Sequence, residues 1–148
     1  MRTALLNGRV LLPSGLRDDI CVVIGDGEIC ALSSAPPDDA MIVDLGGKLL
    51  LPGFIDTQVN GGGGALFNDD PSVETIRTIA TTHARYGTTG LLPTLISDDL
   101  AVVERGIRAV DAAIEAGVPG VLGLHIEGPF LSATRRGSPR RRWRSRAT

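Results

Sequence analysis

The chain has 148 residues, 43% of them hydrophobic and 22% charged, which is about one domain of sequence with enough apolar material for a core, so disorder by composition is excluded. No apolar run reaches the roughly 18 residues of a membrane span, and no basic segment followed by an apolar stretch opens the chain, so the cytoplasm is the expected compartment. The net charge of −2 hides a break: residues 135–148 carry seven of the 15 basic residues and no acid, which leaves 8 basic against 17 acidic residues in 1–134, a net of −9. A body that acidic argues against a general nucleic-acid binder.

Residues 1–48 read as short strands with turn punctuation. Asn7-Gly8 separates "TALL" from "RVLL", and Asp26-Gly27 separates "CVVIG" from "EICAL". Such pairs supply the positive φ angles of tight hairpins. "APPDD" is a loop, and Gly46-Gly47 offers a further turn. A small antiparallel β unit is expected, too small to fold well without packing on something else. Cys21 and Cys30 sit in apolar, strand-like stretches and read as two buried, reduced thiols rather than a disulfide framework.

From Leu49 the rhythm changes. "LLLPGFIDTQV" predicts a buried strand. "DDPSVETIRTIATTHARYG" predicts a helix capped by Asp70, with Pro71 in its first turn, Gly87 at its end, and Val73, Ile76, Ala80, His83 and Gly87 on one face. "TTGLLPTL" is a second strand. "SDDLAVVERGIRAVDAAIEAG" is a second helix, capped by Ser97, with Leu100, Val103, Ile107, Val110 and Ile114 as its apolar stripe. "VLGLHIEGPF" is a third strand. Strand, helix, strand, helix, strand is the grammar of a parallel α/β sheet or barrel.

In such folds ligands meet the carboxyl ends of the strands, and polar residues gather there. The first strand ends in Gln58 and Asn60, the second in Thr94, the third in His125 and Glu127. Residues two apart share a face, so Gln58 with Asn60, and His125 with Glu127, can point together. Glycines 61 to 64 can let backbone approach a ligand and offer N–H groups, or can simply form a turn. A carboxylate at a buried strand end must be paired, protonated or bound to a cation, so Glu127 is either a metal ligand or half of a salt bridge. His125 reads as a ligand, a neighbour of one, or a core histidine; His83, on an apolar helix face, reads as structural. Asp56 can orient its neighbours, and Thr94 can contact substrate or bond locally.

Three segments, "LPGFIDTQVNGGGGALFND", "GTTGLLPTLIS" and "GLHIEGPFLS", together resemble the N-acetylglucosamine-6-phosphate deacetylases of the amidohydrolase superfamily, from the start of the chain to about Gly137. The resemblance implies a (β/α)₈ barrel preceded by part of a small β-sandwich. Residues 1–48 would be the sandwich part, 49–134 about three βα units of the barrel, and 135–148 an arginine-rich tail. It implies conversion of N-acetylglucosamine 6-phosphate to glucosamine 6-phosphate and acetate, with one divalent metal ion, expected to be zinc, and a homodimer. Many members of the superfamily end the first barrel strand in a His-x-His pair that binds one of two metals. Here Gln58 and Asn60 occupy those positions, and amides replace imidazole poorly around a transition metal, so the chain resembles the one-metal branch, with Glu127 as metal ligand. Gln58, Asn60, Gly61, Thr94, His125, Gly128 and Ser138 are the expected substrate contacts. The family's aspartate base and its two histidine ligands come from later strands and match no position here.

After the third strand the pattern departs. Arg135-Arg136-Gly137 fits the start of a phosphate-contacting segment, but Pro139 stands where the family places a histidine, and proline has neither a titratable nitrogen nor an N–H. The switch to "RRRWRSRAT" is read as a frameshift or misplaced gene end near Gly137; the rival is a genuine basic arm that contacts RNA or DNA through arginine and Trp143. A barrel lacking five strands keeps open edges, so the 148-residue chain by itself is expected to aggregate and to lack activity. Two other functions stay open: an amidohydrolase acting on cyclic amides, and a non-catalytic binding fragment.

Overall fold

The computed structural model describes residues 1–128. The chain divides into two units, Met1–Pro52 and a second that begins at Gly53.

The first unit is all β. Strands β1 (Arg2–Leu6), β4 (Cys21–Gly25), β5 (Glu28–Ser33) and β6 (Ala40–Asp44) form a four-stranded sheet in the order β5-β4-β1-β6. Strands β2 (Arg9–Leu12), β3 (Gly15–Arg17) and β7 (Leu49–Leu50) form a second sheet in the order β3-β2-β7. The Asp26-Gly27 turn closes the β4–β5 hairpin with φ of 52° and 83°, as expected of a tight two-residue turn. The unit is not purely antiparallel, because β1 with β6 and β2 with β7 pair parallel.

Asn7-Gly8 and Gly46-Gly47 do not close hairpins. Each carries the chain from the four-stranded sheet into the other, and the two crossings run side by side. Leu45 N–H donates to Leu6 O at 2.8 Å, Gly47 N–H to Asn7 O at 2.6 Å and Arg9 N–H to Lys48 O at 2.9 Å. The positive φ angles at Asn7, Gly46 and Gly47 serve these crossings, a use that local turn chemistry cannot tell from a hairpin. A Cβ at Gly8 would press on the Leu45 side chain and on Lys48 O. Asp44 locks the pair: its Oδ1 accepts from Gly46 N–H at 2.7 Å and its Oδ2 from the Asn7 amide at 3.0 Å. These bonds hold its carboxyl below the usual carboxylate value.

The core of this unit is small, built on Ala4, Cys21 and Val23 with Leu6 and Ala40 against them. Cys21 is buried, as expected, but Cys30 is exposed, because both faces of edge strand β5 are largely open.

The second unit is a three-stranded parallel sheet with two helices, a mixed α/β arrangement. Strand β8 (Phe54–Val59) leads through a small hairpin, β9 (Gly61–Gly62) and β10 (Ala65–Leu66), to α1 (Val73–Ala84), β11 (Thr88–Ile96), α2 (Leu100–Glu115) and β12 (His125–Glu127). The order is β12-β11-β8, with β11 central. Val59, Phe67, Ile76, Ile79, Leu91, Leu95, Val103, Val110 and Ala113 belong to one core between strands and helices. Gly106 of α2 has no Cβ where the Leu95 side chain lies, so helix and strand approach closely.

Several local details differ from the sequence expectations. Strand β8 is an edge strand rather than a buried one, with Phe54 and Ile55 exposed. The cap of α1 is Ser72, whose Oγ accepts from Thr75 N–H at 3.2 Å, while Asp70 braces the cap by accepting from the Ser72 and Thr75 hydroxyls. Helix α2 starts after Asp99 and not after Ser97, and its inward face is Val102, Val103, Gly106, Ala109, Val110 and Ala113. Leu100, Ile107 and Ile114, three of the expected stripe, are exposed. Gly106 sets that face, because it allows a tight approach to Leu95 of β11 that a larger residue would prevent. Among the described residues no helix is long and apolar enough to cross a membrane.

Candidate functional site

The carboxyl ends of β8, β11 and β12 carry the expected polar residues, and two hydrogen bonds join β8 to β12 across β11. The Gln58 amide donates from Nε2 to Glu127 Oε2 at 3.0 Å, and His125 Nδ1 lies 2.8 Å from Thr57 O. Strands β8 and β12 are not neighbours, so these side chains reach across the width of β11. A carbonyl only accepts, so His125 Nδ1 carries the proton, and its Nε2 is then the acceptor of the neutral ring.

A register shift in β8 aims these groups. Asp56 pairs with Leu91 and Val59 with Pro93, so β8 spends three residues where β11 spends two. Such a bulge bends its strand and redirects side chains. Asp56 supports the bulge, its Oδ1 accepting from Gln58 N–H at 3.0 Å. Thr94 secures it from the other side. Its Oγ1 accepts from Val59 N–H at 2.9 Å and donates to Leu92 O at 3.1 Å. Thr94 is fully buried and its hydroxyl bonds to backbone on both sides, so it holds two strands together, which is the local bonding that the sequence left open beside substrate contact.

Asn60 follows directly. Its Nδ2 is the one buried side-chain polar atom, among the described residues, with no hydrogen-bond partner. A buried donor left unpaired costs about 1–3 kcal/mol, so this amide is poised for an acceptor.

The four glycines have distinct uses. Gly61 and Gly62 form β9, and Gly63 and Gly64 make its turn with φ of 63° and 83°. A Cβ on Gly61 would overlap Ala65 O, and one on Gly62 would meet the His83 ring at 3.0 Å. The missing side chains thus let the hairpin fold on itself and lie against α1, and the His83 Nε2–H donates to Gly61 O at 3.0 Å. His83 is structural, as expected, but its role is to hold the glycine hairpin. Gly128 has φ of 58°, and its carbonyl accepts from Ser97 Oγ at 2.6 Å. Ser138, Pro139 and the arginine-rich segment lie outside the described residues.

No group of three or more His, Cys, Asp or Glu gathers among the described residues. Glu127 is exposed, and Gln58 takes one of its oxygens. It fits one corner of a metal site: a hard oxygen donor, steadied by an amide, with its second oxygen left to a cation. A structural or catalytic zinc site has at least three protein ligands, so the described residues do not complete one.

One asparagine outside the expected set has a clear role. Asn68 is buried, and its amide makes three hydrogen bonds at the end of β11. An asparagine directly after the deeply buried Phe67, at the end of a loop, is the available sequence sign.

Residues 49–147 match the model of the amidohydrolase family. The chain belongs to that family. Over 133 residues it is 43% identical to the N-acetylgalactosamine-6-phosphate deacetylase of Shewanella sp. (strain ANA-3), covering 87% of this chain and 34% of the relative. Over 140 residues it is 35% identical to the N-acetylglucosamine-6-phosphate deacetylase of Haemophilus influenzae, covering 93% and 36%. Among solved structures it is similar to the N-acetylglucosamine-6-phosphate deacetylase of Pasteurella multocida, with a TM-score of 0.88 at 30% identity, covering 97% of this chain and 38% of that one. The chain therefore spans about a third of the length of the curated relatives it matches.

Proposed function

We propose that the whole protein to which these residues belong is a metal-dependent deacetylase of N-acetylhexosamine 6-phosphates, releasing acetate from N-acetylglucosamine 6-phosphate. In this reading residues 53–128 are the first three strands and two helices of a (β/α)₈ barrel, and 1–52 are part of a β-sandwich. The observation that carries it is the Gln58–Glu127 bond across β11. Layers of inward side chains in such barrels come from alternate strands, and a first-strand amide meeting a third-strand carboxylate is that pattern. The resemblance of the chain to deacetylases of amino-sugar phosphates supplies the substrate class.

The residues present divide the work as follows. Glu127 would hold the metal through its carboxylate, with Gln58 fixing the orientation of that carboxylate. When bound, a zinc ion would polarise the acetamido carbonyl and lower the pKa of a bound water. Asn60 Nδ2 offers a hydrogen bond to a substrate oxygen. His125 Nε2 can accept one from a sugar hydroxyl, because Thr57 O fixes the other ring nitrogen as the donor. Gly61 and Gly128 keep backbone close to the same strand ends. A cytoplasmic homodimer is the expected state, to be checked by sedimentation.

A second reading is favoured by one observation: the Shewanella relative, at 43% identity, is an N-acetylgalactosamine-6-phosphate deacetylase. The two sugars differ only in the configuration of one ring hydroxyl, so the discrimination between them rests on hydrogen-bond partners rather than on the reaction centre. The test is acetate release by the complete gene product from both sugar phosphates and from a cyclic amide. Release from an N-acetylhexosamine 6-phosphate, lost at least 100-fold in Glu127→Gln, is expected, and the ratio of kcat/KM values decides between the two sugars. Hydrolysis of the cyclic amide alone, or nucleic-acid binding without hydrolysis, would overturn the proposal.

A further inference from the structure

Strand β11 loses its β8 neighbour before it ends. The pairing stops at Val59 with Pro93, whereas on the opposite edge β12 begins only at Thr94 with His125 and continues to Ile96 with Glu127. The last three residues of β11 therefore pair with β12 while their other edge lacks a strand. Unpaired backbone groups in a buried setting are costly, and side chains fill the gap. Thr94 Oγ1 takes Val59 N–H, and the Asn68 carboxamide takes both backbone groups of Ile96. Asn68 Oδ1 accepts from Ile96 N–H at 2.9 Å, and its Nδ2 donates to Ile96 O at 3.0 Å and to Asp98 Oδ2 at 3.0 Å. One amide thus imitates one residue of the missing strand.

We infer that Asn68 is a positioning residue for Glu127: it fixes Ile96 from one edge of β11, and Ile96 sets the height of Glu127 on the other. The inference rests on the reading of Glu127 as a metal ligand only for its functional meaning. Asn68 also belongs to the loop that carries the other polar groups. Its neighbour Phe67 is fully buried, and Phe67 N–H donates to Asn60 O at 2.9 Å. The same amide therefore ties the glycine hairpin and Asn60 to the end of the strand that supports Glu127. No other side chain replaces it without loss. Aspartate keeps the acceptor for Ile96 N–H but turns a carboxylate toward Ile96 O and Asp98. Alanine removes all three bonds. Glutamine adds a methylene to a nearly closed site.

The experiment compares Asn68→Ala, Asn68→Asp and Val103→Ala in the complete gene product, the last as a core substitution in the same unit that removes none of the Asn68 side-chain bonds. Amide hydrogen exchange at native conditions is the first readout. Asn68→Ala is expected to speed exchange at least tenfold at Ile96 and Glu127 while the amides of α1 change less than twofold. Asn68→Asp is expected to do the same at Glu127 with a smaller effect at Ile96. Val103→Ala is expected to raise exchange over both helices and β11 together. The second readout is paramagnetic broadening of the Gln58 side-chain amide by Mn²⁺ alone, which Asn68→Ala should reduce at least fivefold. Unchanged exchange at Glu127 in Asn68→Ala, or a uniform rise indistinguishable from that of Val103→Ala, would overturn the inference. Mn²⁺ broadening that persists in Glu127→Gln would instead overturn the metal reading and leave the exchange result to judge Asn68 separately.

Discussion

The two units of the chain use strands in opposite ways. In Met1–Pro52 the strands supply nearly all their own cover, and the cluster at the centre is Ala4, Cys21 and Val23, with Ile29, Leu32, Met41 and Ile42 left exposed. In the unit from Gly53 two helices cover the sheet, and Leu91, Leu95, Ile76 and Ile79 are fully buried between them. A helix brings a broad apolar stripe to a sheet, while a pair of short strands brings only alternate residues. The lesson is that the larger buried core lies in the second unit, and that unit carries the polar strand ends. A site that needs a carboxylate held by an amide needs such a base.

The largest expected break is in the helix-covered core. Leu95→Ala empties the space over Gly106 and should cost about 2–5 kcal/mol, read as a fall in the denaturant midpoint with unchanged slope. Next is Thr94→Val, similar in shape but without the hydroxyl. It leaves the buried Val59 N–H unpaired and should cost about 1–3 kcal/mol, whereas Thr94→Ser should restore most of the loss. A recovery with serine separates the hydrogen bond from packing. In the first unit, Val23→Ala removes two buried methyl groups at about 0.8 kcal/mol each, so its cost should fall below that of Leu95→Ala. A Val23→Ala loss equal to that of Leu95→Ala would erase the contrast between the units.

The smallest effect is electrostatic. Hydrogen bonds from Gly46 N–H and the Asn7 amide hold Asp44 below its ordinary value of 3.8. The folded-state pKa is depressed, so the stabilisation is complete above about pH 4 and is lost as pH falls through the folded value. Asp44→Asn should therefore narrow the gap between stability at pH 7 and at pH 2.5, measured by urea titration at both. An unaltered gap would show that the two crossings are held without Asp44.

Much of the second unit was legible because period and punctuation agree there. Alternating strand and helix patterns, and polar residues two apart at strand ends, lead to the right elements and bring Gln58 and Glu127 together as expected. The misses have physical causes. Ser97 looks like a helix cap, but its hydroxyl is used by Gly128 O; a partner 31 residues away leaves no local mark. Leu100, Ile107 and Ile114 satisfy a helical stripe as well as the true face does, and only the narrow gap against Leu95 favours the side with Gly106 and the alanines. The bond from Val59 N–H to the Thr94 hydroxyl leaves no local mark either, because it depends on a bulge in another strand. In the first unit, Gly46-Gly47 is the turn expected and Asn7 takes a positive φ, but Asn7-Gly8 joins two sheets instead of closing a hairpin, because turn chemistry states that the chain bends and not which strand it meets.

The side-by-side crossings also bear on how the first unit assembles. Leu6 and Asp44 are register partners in a parallel pair, yet 37 residues separate them in the chain. Closing so long a segment costs entropy before any reward arrives. The Asp26-Gly27 hairpin, whose partners are near neighbours in sequence, can form early and shorten that span by presenting β4 to β1. β1 therefore cannot complete its parallel pairing until β6, far along the chain, has been made, and the two glycine-bearing bends bind the start of this unit to its end.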